Sequence, residues 1–377
     1  MTLPALFLFA ALNHALKTGS NVTVLLTALS LHAPPVVVGA LTAIGSILPM
    51  LFAVSIGRLN DRFGSRMPLF IGTACVIASS LLPVAWPQLP TLFVTAIFTG
   101  IGSTAFSVST QSVIGLFGNS EDRTRNFSWL SIAFSTGAIV GPMLAGPVID
   151  HAGYTSAFVV LAFLALPALV TVGSGGLSLP SPRAPGAPAA PGGRFGRMFD
   201  LLRNKELRTV YLLTGLHVSA WEVFSFLVPV YGAGIDLAAT SIGLILGAFS
   251  MATFFVRVVM PYFSRRYPAL RLIRISIVIA GVLFIFFPMV TSVPVLIALG
   301  FVLGMVLGVT QPLSMQVLHE SAPAGRTGEA VGLRTATVNL SAATTPLLYG
   351  AAGSALGMTP VFWAMAVAVW AAVWALS

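Results

Sequence analysis

Ionisable side chains in the middle of long apolar stretches are the residues of this sequence best suited to chemistry. Glu222 and His217 share one such stretch, and His14 and Lys17 share another. A charge surrounded by hydrocarbon is costly, so a residue of this kind normally carries a proton, an ion or a polar substrate. We predict that Glu222 couples protons, with His14 and His217 as further groups that titrate near neutral pH. A static Lys17–Glu222 ion pair and hydrogen-bonded structural histidines are the alternative interpretations.

Uncharged polar and aromatic residues in the apolar stretches can recognise a small molecule by hydrogen bonding and stacking. With Lys17, they form the set that we predict to bind substrate: Asn13, Lys17, Asn21, Trp221, Gln111, Gln311 and Asn339. Hydrogen bonds between helices explain such residues equally well, because a polar group in lipid also needs a partner.

Patterns typical of catalytic, cofactor and metal sites are missing from the sequence. It contains no H-E-x-x-H, no C-x-x-C and no P-loop. Cys75 is the single cysteine, which excludes a disulfide within the chain. We therefore predict a protein that is not an enzyme and that binds neither a cofactor nor a metal.

Composition indicates where the candidate residues must lie. Hydrophobic residues make up 56% of the 377 residues and charged residues only 8%, whereas about a quarter of a soluble protein is charged. The chain is therefore predicted to be an all-α polytopic membrane protein with lipid as a partner. Its net charge of +9 does not indicate nucleic-acid binding, because the basic residues lie in short connections between apolar stretches.

Twelve apolar stretches are each long enough, at about 20 residues, to cross a bilayer as a helix. They cover approximately residues 2–30, 36–56, 67–85, 91–116, 127–149, 155–173, 208–231, 240–261, 270–289, 293–317, 328–351 and 357–376. All lysines and arginines except Lys17 lie in or close to alternate connections between these stretches. The positive-inside rule makes those connections cytoplasmic, so both termini are predicted to be cytoplasmic.

The middle of the chain differs in composition from the predicted helices. Proline alternates with Gly, Ala and Ser between Gly173 and Gly196, a composition typical of a flexible linker. A basic amphipathic stretch from Arg197 to Lys205 follows, and we predict that it forms a short helix along the membrane surface. The predicted organisation is an N-terminal six-helix bundle at 1–173, a cytoplasmic linker at 174–206 and a C-terminal six-helix bundle at 207–377.

The two halves repeat one another with a single offset, which is the separation of Gly39 from Gly243. The same offset relates further glycines, prolines and arginines: Arg62 and Arg266, Gly100 and Gly304, Pro142 and Pro346, Gly146 and Gly350, Gly153 and Gly357. Internal duplication of this length is typical of transporters whose halves move about a site near the middle of the membrane.

A polar segment with the pattern G-x-L-x-D-R-x-G-x-R follows the second apolar stretch and contains Gly57, Asp61, Arg62, Gly64 and Arg66. It resembles motif A of the major facilitator superfamily, which lies between helices 2 and 3. The resemblance implies a conformational latch that closes the cytoplasmic helix ends in the outward-open state. We interpret the segment as a loop in which Asp61 begins a helix and accepts bonds from free amides. The alternative is a charged turn that only enforces topology.

The fifth apolar stretch contains Gly137, Gly141, Pro142 and Gly146, which resemble the family's motif C, G-x-x-x-G-P-x-x-G-G. This resemblance implies antiport and export, and small-residue packing between helices is the alternative. In the fourth stretch, Ala96 stands where proton-coupled members of the family have an arginine. The usual proton relay is therefore missing, and another group must act if protons are coupled.

The resemblance covers the whole chain and implies the major facilitator fold, with twelve transmembrane helices in two pseudo-symmetric six-helix bundles. It also implies that helices 1 and 7 face each other across a central cavity. The expected activity is secondary active transport of a small organic solute across a bacterial inner membrane by alternating access, as proton-coupled efflux by a monomer. The alternative is an organic-anion, siderophore or lipid transporter that does not use proton antiport, driven by another coupling ion or by none.

Overall fold

A computed structural model describes residues 2–115, 117, 120–177, 199–264, 267–322 and 327–375. Within these ranges the chain forms twelve α-helices and two short 3-10 helices, Phe199–Arg203 and Phe287–Met289. The α-helices are α1 Thr2–Ser30, α2 Pro35–Phe63, α3 Arg66–Ala85, α4 Leu89–Gly115, α5 and α6 within Ser120–Gly173, α7 Lys205–Gly234, α8 Ala239–Ser264, α9 Ala269–Phe286, α10 Val293–Ser321, α11 Thr327–Leu356 and α12 Met358–Ala375.

Helices α5 (120–152) and α6 (154–173) meet at Gly153. This residue has φ 81 and ψ 169, a conformation that residues with a Cβ rarely adopt. The glycine allows the chain to reverse without an intervening loop. Each predicted span therefore corresponds to one helix, and α2, α7 and α10 extend beyond the predicted spans at one or both ends.

Judged by length and composition alone, eight segments of the described chain can cross a membrane, and one of them, Arg125–Gly173, contains most of α5 and all of α6. The apolar part of α12, Met358–Ala371, is shorter. Helices α1 and α11 are less apolar because they contain residues such as Lys17 and Arg334. Polar residues of this kind are compatible with a spanning helix when they face protein or water.

The polar segment after the second predicted span is helical over most of its length, unlike the predicted loop. Helix α2 continues through Phe63, and only Gly64 and Ser65 separate it from α3. Gly64 has φ 78, which favours glycine, and its N–H donates to the carbonyl oxygen of Asn60 at 2.9 Å. Asp61 lies in the last turn of α2, so the prediction that it begins a helix was wrong. The helix continues through this segment because no proline lies between Gly57 and Gly64 to break it.

Backbone geometry repeats between the halves with the offset seen in the sequence. His32 and Asp236 both have φ 57, and Gly153 and Gly357 have φ 81 and φ 83. Helix contacts repeat as well, since Gly100 packs against the carbonyl oxygen of residue 45 and its counterpart Gly304 against that of residue 249. The offset therefore relates the two halves as folded structures, which supports the predicted pseudo-symmetry.

Two compact units can be distinguished among the described residues. The first consists of the chain within Met1–Ala187 together with Gly232–Gly247, and the second of the chain within Pro188–Tyr231 and Ala248–Ser377. In the first unit α1 packs mainly on α5, while α4 packs on α2 and α3; in the second, α9 packs on α10 and α12. The predicted boundaries at 173 and 207 stay a prediction.

Most of the predicted linker, residues 178–198, lies outside the described residues. The basic stretch after it forms the 3-10 helix Phe199–Arg203, in which Leu201 is buried in an apolar cluster with Leu207 and Val317. The Oδ1 atom of Asn204 accepts hydrogen bonds from the N–H groups of Glu206 and Leu207 and caps α7. Protein contacts therefore hold this segment at the start of α7.

Candidate functional site

Polar residues in the middle of α1 lie on different sides of the helix. His14 packs towards α5, with its ring 5.3 Å from that of Phe134. Asn13 is only 2% exposed, and its amide nitrogen has no hydrogen-bond partner among the described residues. Lys17 is half-buried and Asn21 is exposed. At about 100° per residue, Asn13 and Lys17 lie on the side of α1 opposite the contact with α5.

Helix α7 carries His217, Trp221 and Glu222 near its middle. His217 is buried, and its ring lies 6.3 Å from Trp221, which in turn makes an edge contact with Phe249 of α8 at 4.6 Å. Glu222 is half-buried. Helical register places Glu222 about 100° from Trp221 around α7. Glu222 therefore lies on the same stripe of α7 as Tyr211, and this stripe faces α11. The aromatic residues and the carboxylate therefore occupy neighbouring but distinct faces.

The stripe of α7 that contains Glu222 packs on α11 in the second unit. The hydroxyl of Tyr211 donates to the carbonyl oxygen of Ala330 at 3.3 Å. Gly215 lies against Thr337 and Ser341, and Thr345 donates to Ser219 at 2.9 Å. Register therefore directs Glu222 toward the small polar seam between α7 and α11.

Glu222 differs from the other nine of the chain's ten acidic residues in its position. The others lie in connections or within about two turns of a helix end: Asp61, Glu121, Asp122, Asp150, Asp200, Glu206, Asp236, Glu320 and Glu329. Glu222 is the acid in the middle of a helix, between Lys205 and Gly234. An ionisable residue in the middle of a membrane helix is rare and marks a candidate functional position.

The other predicted substrate-binding residues are distributed over both units. In the first, Gln111 of α4 is exposed, and its Nε2 donates to Ser107 at 3.0 Å. In the second, Gln311 of α10 is exposed and Asn339 of α11 is half-buried. Asn339 lies on the side of α11 opposite the stripe that contacts α7. Their assignment to a common site stays a prediction.

Only some of the side chains of motif A are among the described residues. The guanidinium Nη2 of Arg66 donates to the carbonyl oxygens of Leu177 at 2.7 Å and Gly175 at 3.4 Å, just beyond the end of α6. A positive charge there also complements the dipole of α6. The Gly57, Asp61 and Arg62 positions are helical, and the side chains of Asp61 and Arg62 lie outside the described residues. The latch function stays a prediction.

The first two glycines of motif C allow α5 to contact the backbone of α1. A methyl group at position 137 would lie 2.5 Å from the carbonyl oxygen of Ala11, and one at 141 would overlap the hydroxyl of Thr18. The Thr18 hydroxyl also donates to the carbonyl oxygen of Gly137 at 3.1 Å. Glycine is required here because the two backbones leave no room for a side chain.

The C-terminal part of motif C contacts the beginning of α8, which belongs to the same unit. A methyl group on Gly146 would lie 2.5 Å from the carbonyl oxygen of Ala239. Gly243 of α8 lies directly against the carbonyl group of Pro142, and Gly247 against Met143. One motif therefore contacts two helices: α1 through its first glycines and α8 through its last.

Asp150, one turn after Gly146, is a residue that sequence reasoning missed. Its Oδ1 accepts the N–H of Ala239 at 2.9 Å, and its Oδ2 accepts both the N–H of Thr240 at 2.7 Å and the Thr240 hydroxyl. The carboxylate thereby caps the N-terminus of α8. An acid just after motif C was the only signal in the sequence, and it did not identify the partner.

A cavity of about 460 Å³ adjoins this contact. Residues of α1, of the turn between α5 and α6, and of the connection into α8 line it, including Ser30, Asp150, Tyr154 and Asp236. Among the described residues, no three His, Cys, Asp or Glu side chains are placed to hold a metal ion together.

Comparison with known proteins gives a family match and several relatives. The family model described as Major Facilitator Superfamily matches residues 6–292 and 210–377. Multidrug resistance protein 1 of Bacillus subtilis is 23% identical over 257 residues, which cover 66% of this chain and 64% of that protein. The class B tetracycline resistance protein of Escherichia coli is 30% identical over 108 residues, which cover 29% and 27%. The matched region is thus less than two thirds of either relative.

Among solved structures, a bacterial homologue of the human lysosomal transporter Spinster superimposes with a TM-score of 0.81 over 99% of this chain and 95% of that one, at 13% identity. Identity at this level supports the fold alone. The family match covers more than half of the chain, and the twelve helices, the duplicated halves and motifs A and C agree with it. This chain belongs to the major facilitator superfamily.

Proposed function

We propose that this protein is a secondary active transporter that exports a small organic solute from the cytoplasm in exchange for protons. Its mechanism is alternating access, in which a central site opens to one side of the membrane at a time. The observation that carries the proposal is the position of Glu222, the acid placed in the middle of a helix. A carboxyl group there can alternate between a charged and a neutral form as the surrounding helices move.

Glu222 can couple protons to a cationic substrate because the two compete for the same negative charge. Trp221 and Phe249 on the neighbouring face of α7 and α8 offer aromatic surface for an amphipathic molecule. The names of the relatives support export of such a molecule, since they are called multidrug and tetracycline resistance proteins. Motif C supports antiport. Because Ala96 replaces the usual arginine of α4, the proton must use another group, which we assign to Glu222 of α7, with His217 of the same helix and His14 of α1 as further titratable candidates.

A second candidate is transport of an anionic solute without proton antiport. Lys17 in the middle of α1 and Arg334 in α11 are the observations that favour it. The Nη2 of Arg334 donates to Ser314 at 3.2 Å, which orients the guanidinium within the second unit. A carboxylate or phosphate group on the substrate would complement these cations.

The positive-inside rule gives the orientation: the basic connections face the cytoplasm of a bacterial cell, and both termini lie on that side. We further propose that the protein acts as a monomer in the inner membrane. Motif A closes the cytoplasmic end through Gly57, Asp61, Arg62, Gly64 and Arg66. Asn13, Lys17, Asn21, Gln111, Trp221, Gln311 and Asn339 line the path of the substrate.

The test is substrate-induced proton movement in proteoliposomes that contain the purified protein and a pH-sensitive dye. A panel of lipophilic cations and organic anions is added to the wild type and to Glu222→Gln. We expect a lipophilic cation to induce proton flux in the wild type. Glu222→Gln should abolish that flux and leave exchange of labelled for unlabelled substrate measurable, because the amide retains the shape of the side chain and cannot carry a proton.

Glu206→Gln is the matched control, since Glu206 lies in the first turn of the same helix and contacts Ser321. It should retain full proton flux. Normal flux in Glu222→Gln would contradict the assignment of the proton to Glu222. Flux induced only by organic anions would favour the second candidate.

A further inference from the structure

The hydrogen bonds of Asp150 join α5 to the N-terminus of α8. Three donors converge on one carboxylate: the N–H groups of Ala239 and Thr240 and the Thr240 hydroxyl. Bonds to an ionised acceptor are about twice as strong as neutral ones, and the dipole of α8 adds to them. This connection is therefore stronger than a packing contact between two helix surfaces.

The helix surfaces beside Asp150 have little room to adjust. Gly146 and Gly243 bring the backbones of α5 and α8 into contact, so the carboxylate lies at the end of a closely packed interface. On its other side is the cavity lined by Asp150 and Asp236. Separation of α8 from α5 would open this cavity along the interface, and the bonds of Asp150 would have to break first.

The duplicated half lacks an equivalent carboxylate. The offset between the halves relates Asp150 to Ser354 of α11, whose hydroxyl donates to Gly350 of its own helix. It relates Ala239 to Pro35 at the start of α2, and proline has no N–H to donate. A neutral serine hydroxyl cannot offer an ionised acceptor to backbone N–H groups, so the connection formed by Asp150 is a property of the α5–α8 side.

We propose that Asp150 is a positioning residue for transport: its carboxylate holds the N-terminus of α8 against α5, and each transport cycle must release it. The inference rests on the alternating access proposed above. Release exposes the contact surfaces of α5 and α8 to water, and reformation of the three bonds closes them. Neither Asp150 nor Thr240 contacts the substrate in this role.

The experiment measures water access to position 239 with a soluble maleimide in detergent. Ala239→Cys is made in a Cys75→Ala background, since Ala239 is 8% exposed, lines the cavity and needs only one added atom. We expect slow labelling in this parent. Adding Asp150→Asn should accelerate labelling about tenfold, equivalent to about 1.4 kcal/mol, because the amide NH2 group cannot accept the bonds of Thr240. Thr240→Val, which removes one bond, should give a smaller increase.

Two further variants separate this role from general destabilisation. Asp236→Asn removes a charge from the same cavity at a residue whose side chain makes no described hydrogen bond, and its labelling rate should equal that of the parent. Asp150→Glu keeps the carboxylate and should restore slow labelling. Equal rates in the parent and in both Asp150→Asn and Thr240→Val would overturn the proposal, and so would equal acceleration by Asp236→Asn. Labelling needs no substrate or proton gradient, so its outcome is independent of whether the protein exports.

Discussion

The contact between α1 and α5 and the contact between α7 and α11 occupy equivalent positions in the two halves, yet they are built differently. In the first, Gly137 and Gly141 of α5 lie against the backbone of α1. In the second, their counterparts Ser341 and Thr345 carry side chains, and Gly215 of α7 provides the space instead. The duplication has preserved which helices touch and has exchanged which helix carries the glycine.

The same comparison explains the position of Glu222. Its counterpart in the first half is Thr18, whose hydroxyl donates to the carbonyl oxygen of Gly137 across the contact. A carboxylate at this position cannot donate in that way when ionised and can when protonated. The α7–α11 contact has the hydroxyl groups of Ser341 and Thr345 where the α1–α5 contact has glycines, which is compatible with the titrating role proposed for Glu222.

The largest effect is expected where the two contacts are least interchangeable. Gly141→Thr introduces into the α1–α5 contact the residue type that the counterpart position 345 has in the α7–α11 contact. A Cβ at position 141 would overlap Thr18 and Ala15. Because two backbones must separate, we expect a loss of about 3 kcal/mol or failure to fold. Folded yield by size-exclusion chromatography and the thermal midpoint in detergent measure this. Gly234→Thr is the control, since no atom lies within 4 Å of a Cβ there. Equal yields and thermal midpoints for Gly141→Thr and Gly234→Thr would contradict the close backbone contact between α1 and α5.

A smaller effect is expected for Gly215→Ala in α7. The added methyl group would lie 3.2 Å from the side-chain atoms of Ser341 and Thr337, which can shift more easily than a backbone. We expect a loss of about 1 kcal/mol, measured as a lower thermal midpoint. Ser341→Ala should offset part of it in the double variant by removing the Ser341 hydroxyl oxygen, one of the two atoms at 3.2 Å. A loss as large as that of Gly141→Thr would contradict the difference between the two contacts.

The smallest effect is expected for Thr345→Val, which removes the 2.9 Å hydrogen bond to Ser219 and preserves side-chain shape. Hydrogen bonds between membrane helices contribute about 0.6 kcal/mol on average, so the thermal midpoint should fall only slightly. Ser219→Ala should have a similar effect, and the double variant should be no worse than either single one. Additive losses would mean that the two hydroxyl groups have separate partners.

Several features of the fold were predicted correctly because they depend on local composition and spacing. Lipid requires about 20 apolar residues for each crossing, so the number of helices followed from the apolar stretches. Family membership confirms the predicted fold class and the prediction that the chain is not an enzyme. The prediction for Asp61 was wrong because polar composition was taken to mean a loop, although only Gly64 interrupts the helix.

The candidate site was predictable to a lesser degree. Glu222 was identifiable because an acid in the middle of an apolar stretch is rare whatever surrounds it. The contact of Trp221 with Phe249 of α8, and the packing of His14 on Phe134, required knowledge of which helices are neighbours. Motif C was recognised from its glycines, whereas its division between α1 and α8 was not, because glycine spacing does not specify a partner helix.

The sequence by itself determined the class of protein, the twelve helices and the repeat, since each depends on residues close together in the chain or on one constant offset. Tertiary structure alone decided the role of Asp150. Two of its three partners are the backbone amides of 239 and 240, which every residue except proline possesses, and the third is a threonine hydroxyl, a group common along the chain, so no side-chain pattern marks them. Only folding brings the end of α5 to the start of α8, where three donors meet one carboxylate.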